Sequence, residues 1–362
     1  MAKRLAITGV SSMQAWDEGA KTYARPTRLR SVASFAASAS DLAAFTTLPQ
    51  GCTTPVEILV GDIAKRSKTR LWRACLKKDP LPSGSLWDLG DNRCLTAPEY
   101  FFLRTAPRLS FAQAVLLGME ICGHYSTLMS APYRIYCDMV RREQGGSLLA
   151  NPWPPTEWEM SVEHQRQLMQ LGFISRPSLA SGDGLRDYLS RALSEGSHSR
   201  AILAARHIKD GSRSPMESRL YARYCLPRRY GGLSLLPVEL NRTFTLSADV
   251  AKTIGVTHYS VDLYWPTASI AIEYQGKEVH SGLTAEQRDR LKRNILEVEG
   301  VRILSIDAAQ YDNKSVLELY GSEIAAGMGK ASWELKPRRG EQQKRYALAD
   351  ELRDWESDLY RV

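Results

Sequence analysis

Apolar and polar positions change period several times along this chain, and those changes mark out its elements. Val56–Val60 (VEILV) is a short apolar run with strand character, followed by basic residues Lys65, Arg66, Lys68, Arg70 and Arg73. Helical periodicity begins at TAPEYFFLRTA, where Pro98 falls in the first turn and Thr96-x-x-Glu99 has capping-box spacing. A second helix, FAQAVLLGMEICG, opens at Ser110 and stops at Gly123. From 126 to 180 no period holds: NPWPPTEW interrupts regular structure, and GFISRPSLASGDG reads as a connecting segment. Helical spacing returns at 185–195, at 198–209, and from Ser214 to about Cys225, where PRRYGG ends it. In the first fifty residues only SVASFAASASDLAAF has the pattern of an amphipathic helix.

The strand signal is clearest between Val261 and Tyr274. Val261, Leu263 and Tyr264 precede the break at Pro266, and Ile270, Ala271, Ile272 and Tyr274 follow it. Side chains alternate across a strand, so Glu273 and Gln275 share one face while Ile272 and Tyr274 share the other. A hairpin sets Asp262 near Glu273. Strands deplete acidic residues, and two carboxylates on one face raise each other's pKa, so a bound cation is the physical reason to expect such a pair. An oxygen-rich site of this kind suits Mg²⁺ or Mn²⁺, which activates water and neutralises a phosphodiester. The other possibility is an exposed face with solvated acids. Next comes a helix over 285–299, opened by Thr284-x-x-Gln287, striped by Leu291, Ile295 and Val298, and ended by Gly300; a strand at 301–306 completes a crossover.

Asp262 followed by Glu273-x-Gln275 resembles the acidic core of the PD-(D/E)XK nuclease superfamily, and within it the very-short-patch-repair-like branch. The residues carrying the resemblance are Glu273-Tyr274-Gln275-Gly276, His280, then Asp289, Arg293 and Leu296 on the helix, then Gly300-Val301-Arg302-Ile303-Leu304. Gln275 stands where relatives carry Asp or Lys, and His280 comes one residue later than in their pattern. The resemblance implies a restriction-endonuclease-like core over 198–330, ordered helix, three-strand meander, helix, strand. It implies Asp262 and Glu273 as metal ligands, with Glu217 on the first helix and the Tyr274 carbonyl in support. Glu217 is also placed to cap its own helix through Ser214-x-x-Glu217. A carboxamide cannot act as a base, so Gln275 either orients the attacking water or marks a slow or dead enzyme. His280 either acts near the scissile phosphate or closes a loop. Lys277, Arg288, Arg290, Lys292 and Arg293 either contact phosphates or form a solvated face.

The stretch Leu95-Thr96-Ala97-Pro98-Glu99 through Gly118-Met119-Glu120-Ile121-Cys122-Gly123 is similar to the middle domain that precedes such nuclease domains in many actinobacterial proteins. That region in turn resembles AbiEi-type antitoxins of abortive-infection systems. It implies an α+β accessory domain and a protein partner in a defence or toxin–antitoxin system.

The expected organisation is a basic segment at 1–50, an accessory domain at 51–150, a connecting helical region at 151–197 and the α/β nuclease-like domain at 198–330. A basic linker and an amphipathic helix over 331–362 close it, with Leu348, Leu352, Trp355 and Leu359 on one helical face. At 362 residues, 43% hydrophobic and 24% charged, the chain can bury sizeable cores. No run of eighteen apolar residues reads as a membrane span, and the start lacks a secretory h-region. Six scattered cysteines without a C-x-x-C pair argue against a zinc knuckle or disulfide framework, and suit the cytoplasm. The net charge of +8 favours a polyanion. The expected activity is therefore metal-dependent endonucleolytic cleavage of DNA, in repair or phage defence. The same chemistry serves an RNA backbone, and the alternative is a non-catalytic DNA-binding regulator keeping a degenerate nuclease fold.

Overall fold

The computed structural model describes residues 3–19, 28–29, 35–43, 45, 52, 55–62, 71–76, 81–127, 166–168, 171–192, 198–276 and 285–353. The chain is α/β and divides into two units, Met1–Ile208 with Trp355–Val362, and Lys209–Asp354. Among the described residues no helix is long and apolar enough to cross a membrane.

The first unit is built on a mixed sheet. Its strands are β1 (Leu5–Ile7), β2 (Arg28–Leu29), β3 (Val56–Val60), β4 (Trp72–Leu76), β5 (Leu86–Gly90) and β6 (Arg93–Thr96), in the order β2-β5-β6-β1-β3-β4. β1 pairs parallel with β6 and antiparallel with β3, so the boundary expected at residue 50 falls inside one sheet. The first residues are thus a central strand followed by helix α1 (Gly9–Gly19), where the sequence showed only a basic segment. The helix expected across SVASFAASASDLAAF is confined, among the described residues, to α2 (Ala39–Leu42). β5 and β6 are joined through Asp91 and Asn92, both at positive φ, the conformation a two-residue hairpin turn asks for and these residue types tolerate.

Helix α3 (Pro98–Thr105) begins at an uncapped Ala97, because Thr96 is held in β6 with its hydroxyl donating to Ser12 Oγ. Glu99 pairs instead with Arg28, so the capping box expected there does not form. Helix α4 (Phe111–Ile121) does carry a full capping box, between Ser110 and Gln113. Strands β7 (Tyr125–Ser126) and β8 (Ile174–Ser175) pair beside it, and α5 (Gly182–Arg191) and α6 (Ser199–Ala205) follow. Both last helices belong to the first unit, so the division expected at 198 lies at about 209.

A buried polar network ties these elements together. Arg176 Nε donates to Asp17 Oδ1 at 2.6 Å, and its other nitrogens donate to the carbonyls of Gly123, Pro177 and Glu120. Thr127 donates to both oxygens of Glu120. Ser126 Oγ lies 2.6 Å from Asp17 Oδ2 and 3.1 Å from Glu120 Oε1. One hydroxyl proton cannot serve both, which fits a Glu120 carboxyl that carries its own. Burial pushes Glu120 up to about 7, against the pull of the Thr127 donors. Between pH ~4.5 and ~7 the folded state therefore binds a proton that the unfolded chain releases, and stability falls as pH rises through that window. Glu120→Gln, neutral throughout, should cancel this fall. In paired urea melts the variant should gain on the wild type between pH 5 and 8, by roughly 3 kcal/mol at most.

The second unit carries the Asp–Glu hairpin. Helix α7 (Pro215–Cys225) leads to strand β9 (Glu239–Thr245), helix α8 (Ala248–Ile254), β10 (His258–Trp265), β11 (Ile270–Tyr274), helix α9 (Ala285–Val298) and β12 (Arg302–Ile306). The sheet order is β12-β11-β10-β9, antiparallel from β9 to β11 and parallel between β11 and β12. Trp265, fully buried, donates through Nε1 to Leu235 O and packs edge-on against Tyr224.

Helices α10 (Ala308–Asp312), α11 (Lys314–Gly327), α12 (Ser332–Leu335) and α13 (Glu341–Glu351) complete the unit. α13 starts earlier than its apolar pattern suggests and takes in part of the expected linker. It packs so closely on the turn after α7 that a Cβ at Gly231, itself at φ +92°, would lie 2.4 Å from Lys344 O. The boundary expected at 330 is therefore not one. Leu348 and Leu352 are buried as expected; Trp355 and Leu359 lie outside the described residues.

Candidate active site

The β10–β11 register pairs Trp265 with Ile270, Tyr264 with Ala271 and Leu263 with Ile272. One step further brings Asp262 opposite Glu273, on the face expected from the alternation. The ladder stops there, which frees the Tyr274 amide, and Asp262 Oδ2 accepts from it at 2.8 Å. Tyr274 thus enters the site through its N–H. Burial pushes the Asp262 carboxyl up, opposed by the Tyr274 bond and reinforced by the charge of Glu273.

Glu217 approaches from α7. Ser214 Oγ caps the helix by accepting from the Glu217 amide at 3.2 Å. The carboxylate does not close the box on Ser214. Its Oε2 accepts instead from the Arg213 amide at 2.8 Å and from Asn241 Nδ2 at 2.6 Å. Asn241 sits in β9 at φ +52° and also donates to Gly211 O, so it clamps Glu217 to the segment before the helix. Glu217 is only 4% exposed. Burial raises its pKa first, and the charge of Asp262 raises it further. Capping and site roles coexist because the backbone N–H, not the carboxylate, fills the cap.

Glu273 meets a cation from α9: Lys292 Nζ donates to its Oε1. The helix turns a different side to the sheet than its stripe suggests. Leu296 is fully buried with Val261, Ala271, Val301 and Ile303, whereas Leu291 is 41% and Val298 88% exposed. Lys292 lies one turn before Leu296, hence on the sheet-facing side. Arg293 donates to Ser305 Oγ at 2.7 Å, and Ser305 is paired with Glu273 across β11 and β12. The expected row of phosphate contacts therefore separates, with Lys292 and Arg293 turned to the sheet and Arg290 in solvent. Arg288 lies in α9, but its side chain is outside the described set.

The donor chemistry fits a hard divalent cation: three carboxylates in series, two of them held buried against their own preference for protonation. Glu217 uses Oε2, Asp262 Oδ2 and Glu273 Oε1 in the bonds above. They do not converge on one point, however. Among the described residues no three His, Cys, Asp or Glu side chains are gathered closely enough to hold one ion. Glu217 neighbours Asp262, and Asp262 neighbours Glu273, with Lys292 drawn onto the far end.

Gln275 continues from β11, its amide donating to Ile306 O and its side chain exposed. His280 and Lys277 lie outside the described residues. His258, at the start of β10, is exposed, with its Nδ1 3.0 Å from Thr257 Oγ1. The sequence reading missed Asn241 and the contact of Lys292 with Glu273. An asparagine inside an otherwise β-forming run was the one signal available for the former, since Asn adopts positive φ more readily than its neighbours. Comparison with protein-family models, with curated proteins and with solved structures finds no match.

Proposed function

We propose that the second unit is a divalent-metal-dependent endonuclease acting on DNA. The observation that carries this reading is the series Glu217–Asp262–Glu273: acids set side by side, one on a helix and two on neighbouring strands, with Glu217 and Asp262 raised in pKa, are costly to folding unless a cation uses them. Asp262 and Glu273, with Glu217 behind them, would hold Mg²⁺ or Mn²⁺. When bound, the ion would supply Lewis-acid activation of water and charge neutralisation at the phosphodiester. The chain's own residues do the rest. The Tyr274 amide aims Asp262, Asn241 and the Arg213 amide fix Glu217, and exposed Gln275 offers a carboxamide to orient water at the strand end. Arg290 and Arg293 are available for backbone phosphates, contacts that bring salt sensitivity without sequence preference.

A regulator that binds DNA without cutting it is the second reading. The observation favouring it is the salt bridge that occupies Glu273. Nicking of supercoiled plasmid by the purified chain, with Mg²⁺, Mn²⁺ or EDTA and beside Glu273→Ala, separates the two. The nuclease reading expects metal-dependent nicking that falls by about 10²–10³-fold in the variant. Salt-sensitive DNA binding without nicking by either protein would assign the regulator.

A further inference from the structure

The second unit holds a cavity of about 320 Å³, none of whose lining residues lies in the sheet. Its size is at the lower end of the roughly 300–1,000 Å³ of small-molecule sites. Leu233 and Leu335 give it apolar surface, and four cations line it: Arg228, Lys330, Lys336 and Arg338. Backbone bonds hold these residues in place. Helix α11 ends in a Schellman motif, with Gly329 at φ +75° donating to Ala326 O and the Lys330 amide donating to Ala325 O. The lysine stem therefore starts from a fixed point. Three successive carbonyls, of Glu334, Leu335 and Lys336, accept from guanidinium groups, the first and third from Arg228 and the second from Arg345. Those bonds pin the loop that carries Lys336. The Arg338 amide is anchored in turn, donating to Glu341 Oε2 at 2.8 Å. Ser234, at φ +56°, accepts at Oγ from the Arg228 amide, which leaves its hydroxyl proton to donate.

The charges around this cavity do not cancel. Glu341 takes up the charge of Arg228, and Glu334, the one acid among the lining residues, has Oε1 engaged by the Ala331 amide. Lys330, Lys336 and Arg338 stand against that single carboxylate, a surplus of two positive charges. Arg228 Nε is buried with no hydrogen-bond partner among the described residues, a donor whose cost an acceptor in the cavity would offset.

We propose that this cavity binds a phosphomonoester carried on a group with an apolar face, as in a nucleoside 5′-monophosphate. Lys330, Lys336 and Arg338 take the phosphate, and Leu233 and Leu335 pack against the organic part. A terminal phosphate carries up to two charges and matches the surplus, whereas a carboxylate or an internal diester carries one. A free nucleotide and the 5′-phosphorylated end of a nucleic-acid strand both offer this chemistry. No lining residue belongs to the carboxylate series, so binding here needs neither metal nor cleavage.

Calorimetric titration of the full chain in EDTA, with adenosine 5′-monophosphate beside adenosine, is the test. The nucleotide should bind at least about tenfold tighter than the nucleoside. Lys336→Met and Arg338→Met, both at exposed positions, should each weaken it about tenfold with an unchanged melting temperature. Glu334→Gln keeps an acceptor for the Ala331 amide and removes the opposing charge, so the nucleotide should bind several-fold tighter. Arg339 is exposed and does not line the cavity, so Arg339→Met should leave the affinity within about twofold at physiological salt. Equal binding of nucleotide and nucleoside, or no saturation below about 1 mM, overturns the proposal. Equal losses in Arg339→Met and Lys336→Met overturn it too, because they mark a diffuse basic surface.

A single-stranded oligonucleotide with a 5′-phosphate, run beside the same strand with a 5′-hydroxyl, identifies the source. A preference of about tenfold for the phosphorylated strand, lost in Lys336→Met, assigns a nucleic-acid end. No such preference beside tight nucleotide binding assigns the free nucleotide. Nucleotide binding by a chain that nicks no plasmid removes the nuclease reading alone, and nicking without nucleotide binding removes this site alone.

Discussion

Asp262→Asn is expected to make the second unit more stable at pH 8 and to abolish metal-dependent cleavage. The two effects have one origin. In the wild type the Asp262 carboxyl is buried beside Glu217 and opposite Glu273, and the folded chain holds its charge against desolvation and against two like charges. A group whose folded pKa is raised binds its proton more tightly folded than unfolded. The stability this confers is complete below the unfolded value of ~3.9 and is lost as pH rises through the folded one. Asparagine is neutral at every pH, and its side-chain oxygen can still accept from the Tyr274 amide, so the loss disappears. The gain should be close to zero at pH 4 and reach about 1–2 kcal/mol at pH 8, read as the shift in a urea midpoint. Cleavage should fall by about 10³-fold or more, because a ligand charge is removed from the proposed metal site. A variant that is destabilised at pH 8 would make Asp262 a structural acid and count against the nuclease reading. Stability sacrificed locally for charge is the pattern expected of a functional site.

The hairpin carrying Asp262 and Glu273 was legible because its information is local. Period-two alternation from Val261 to Trp265 and from Ile270 to Tyr274, divided by Pro266, specifies which side chains share a face, and the observed register follows. The helices at Pro215 and Phe111 were legible for the same reason, since their serine caps sit beside them in sequence. The first unit's sheet was not. β1 is three residues long, and its parallel partner β6 lies almost ninety positions away, so no window of sequence contains the pairing. The face of α9 was misread for a different reason. Leu291, Ile295 and Val298 form a plausible stripe, but the face that meets β11 and β12 is the one holding Leu296, and it includes Lys292. A solvent-looking lysine thus became the contact of Glu273. The capping box at Thr96 failed because Thr96 is claimed by the strand before the helix can use it. Each miss is a case of tertiary pairing overriding a local signal.

The second large effect lies far from this chemistry. Replacing Arg176 with Met is expected to destabilise the first unit by about 3–5 kcal/mol, the cost of breaking a buried ion pair from one side. Arg176 is 1% exposed and Asp17 0%, and the bond between them is 2.6 Å. The guanidinium also serves the carbonyls of Gly123, Pro177 and Glu120, so three acceptors lose a donor when it goes. What remains is a buried Asp17 that has lost its cation and shares the Ser126 hydroxyl with a second acid, Glu120. Methionine fills much of the volume and supplies none of the charge. The remedy follows from the same reasoning: Asp17→Asn in the Arg176→Met background removes the stranded charge and should recover roughly half of the loss. Hydrogen exchange is the appropriate measurement, because it reads protection separately in α1, α4 and β7. Faster exchange in these elements, partly reversed in the double variant, identifies the pair as the pin between them. Equal exchange in the wild type and Arg176→Met would mean that the three helix and loop carbonyls find other donors, and that apolar packing around Met13, Leu116 and Tyr125 holds the unit without it.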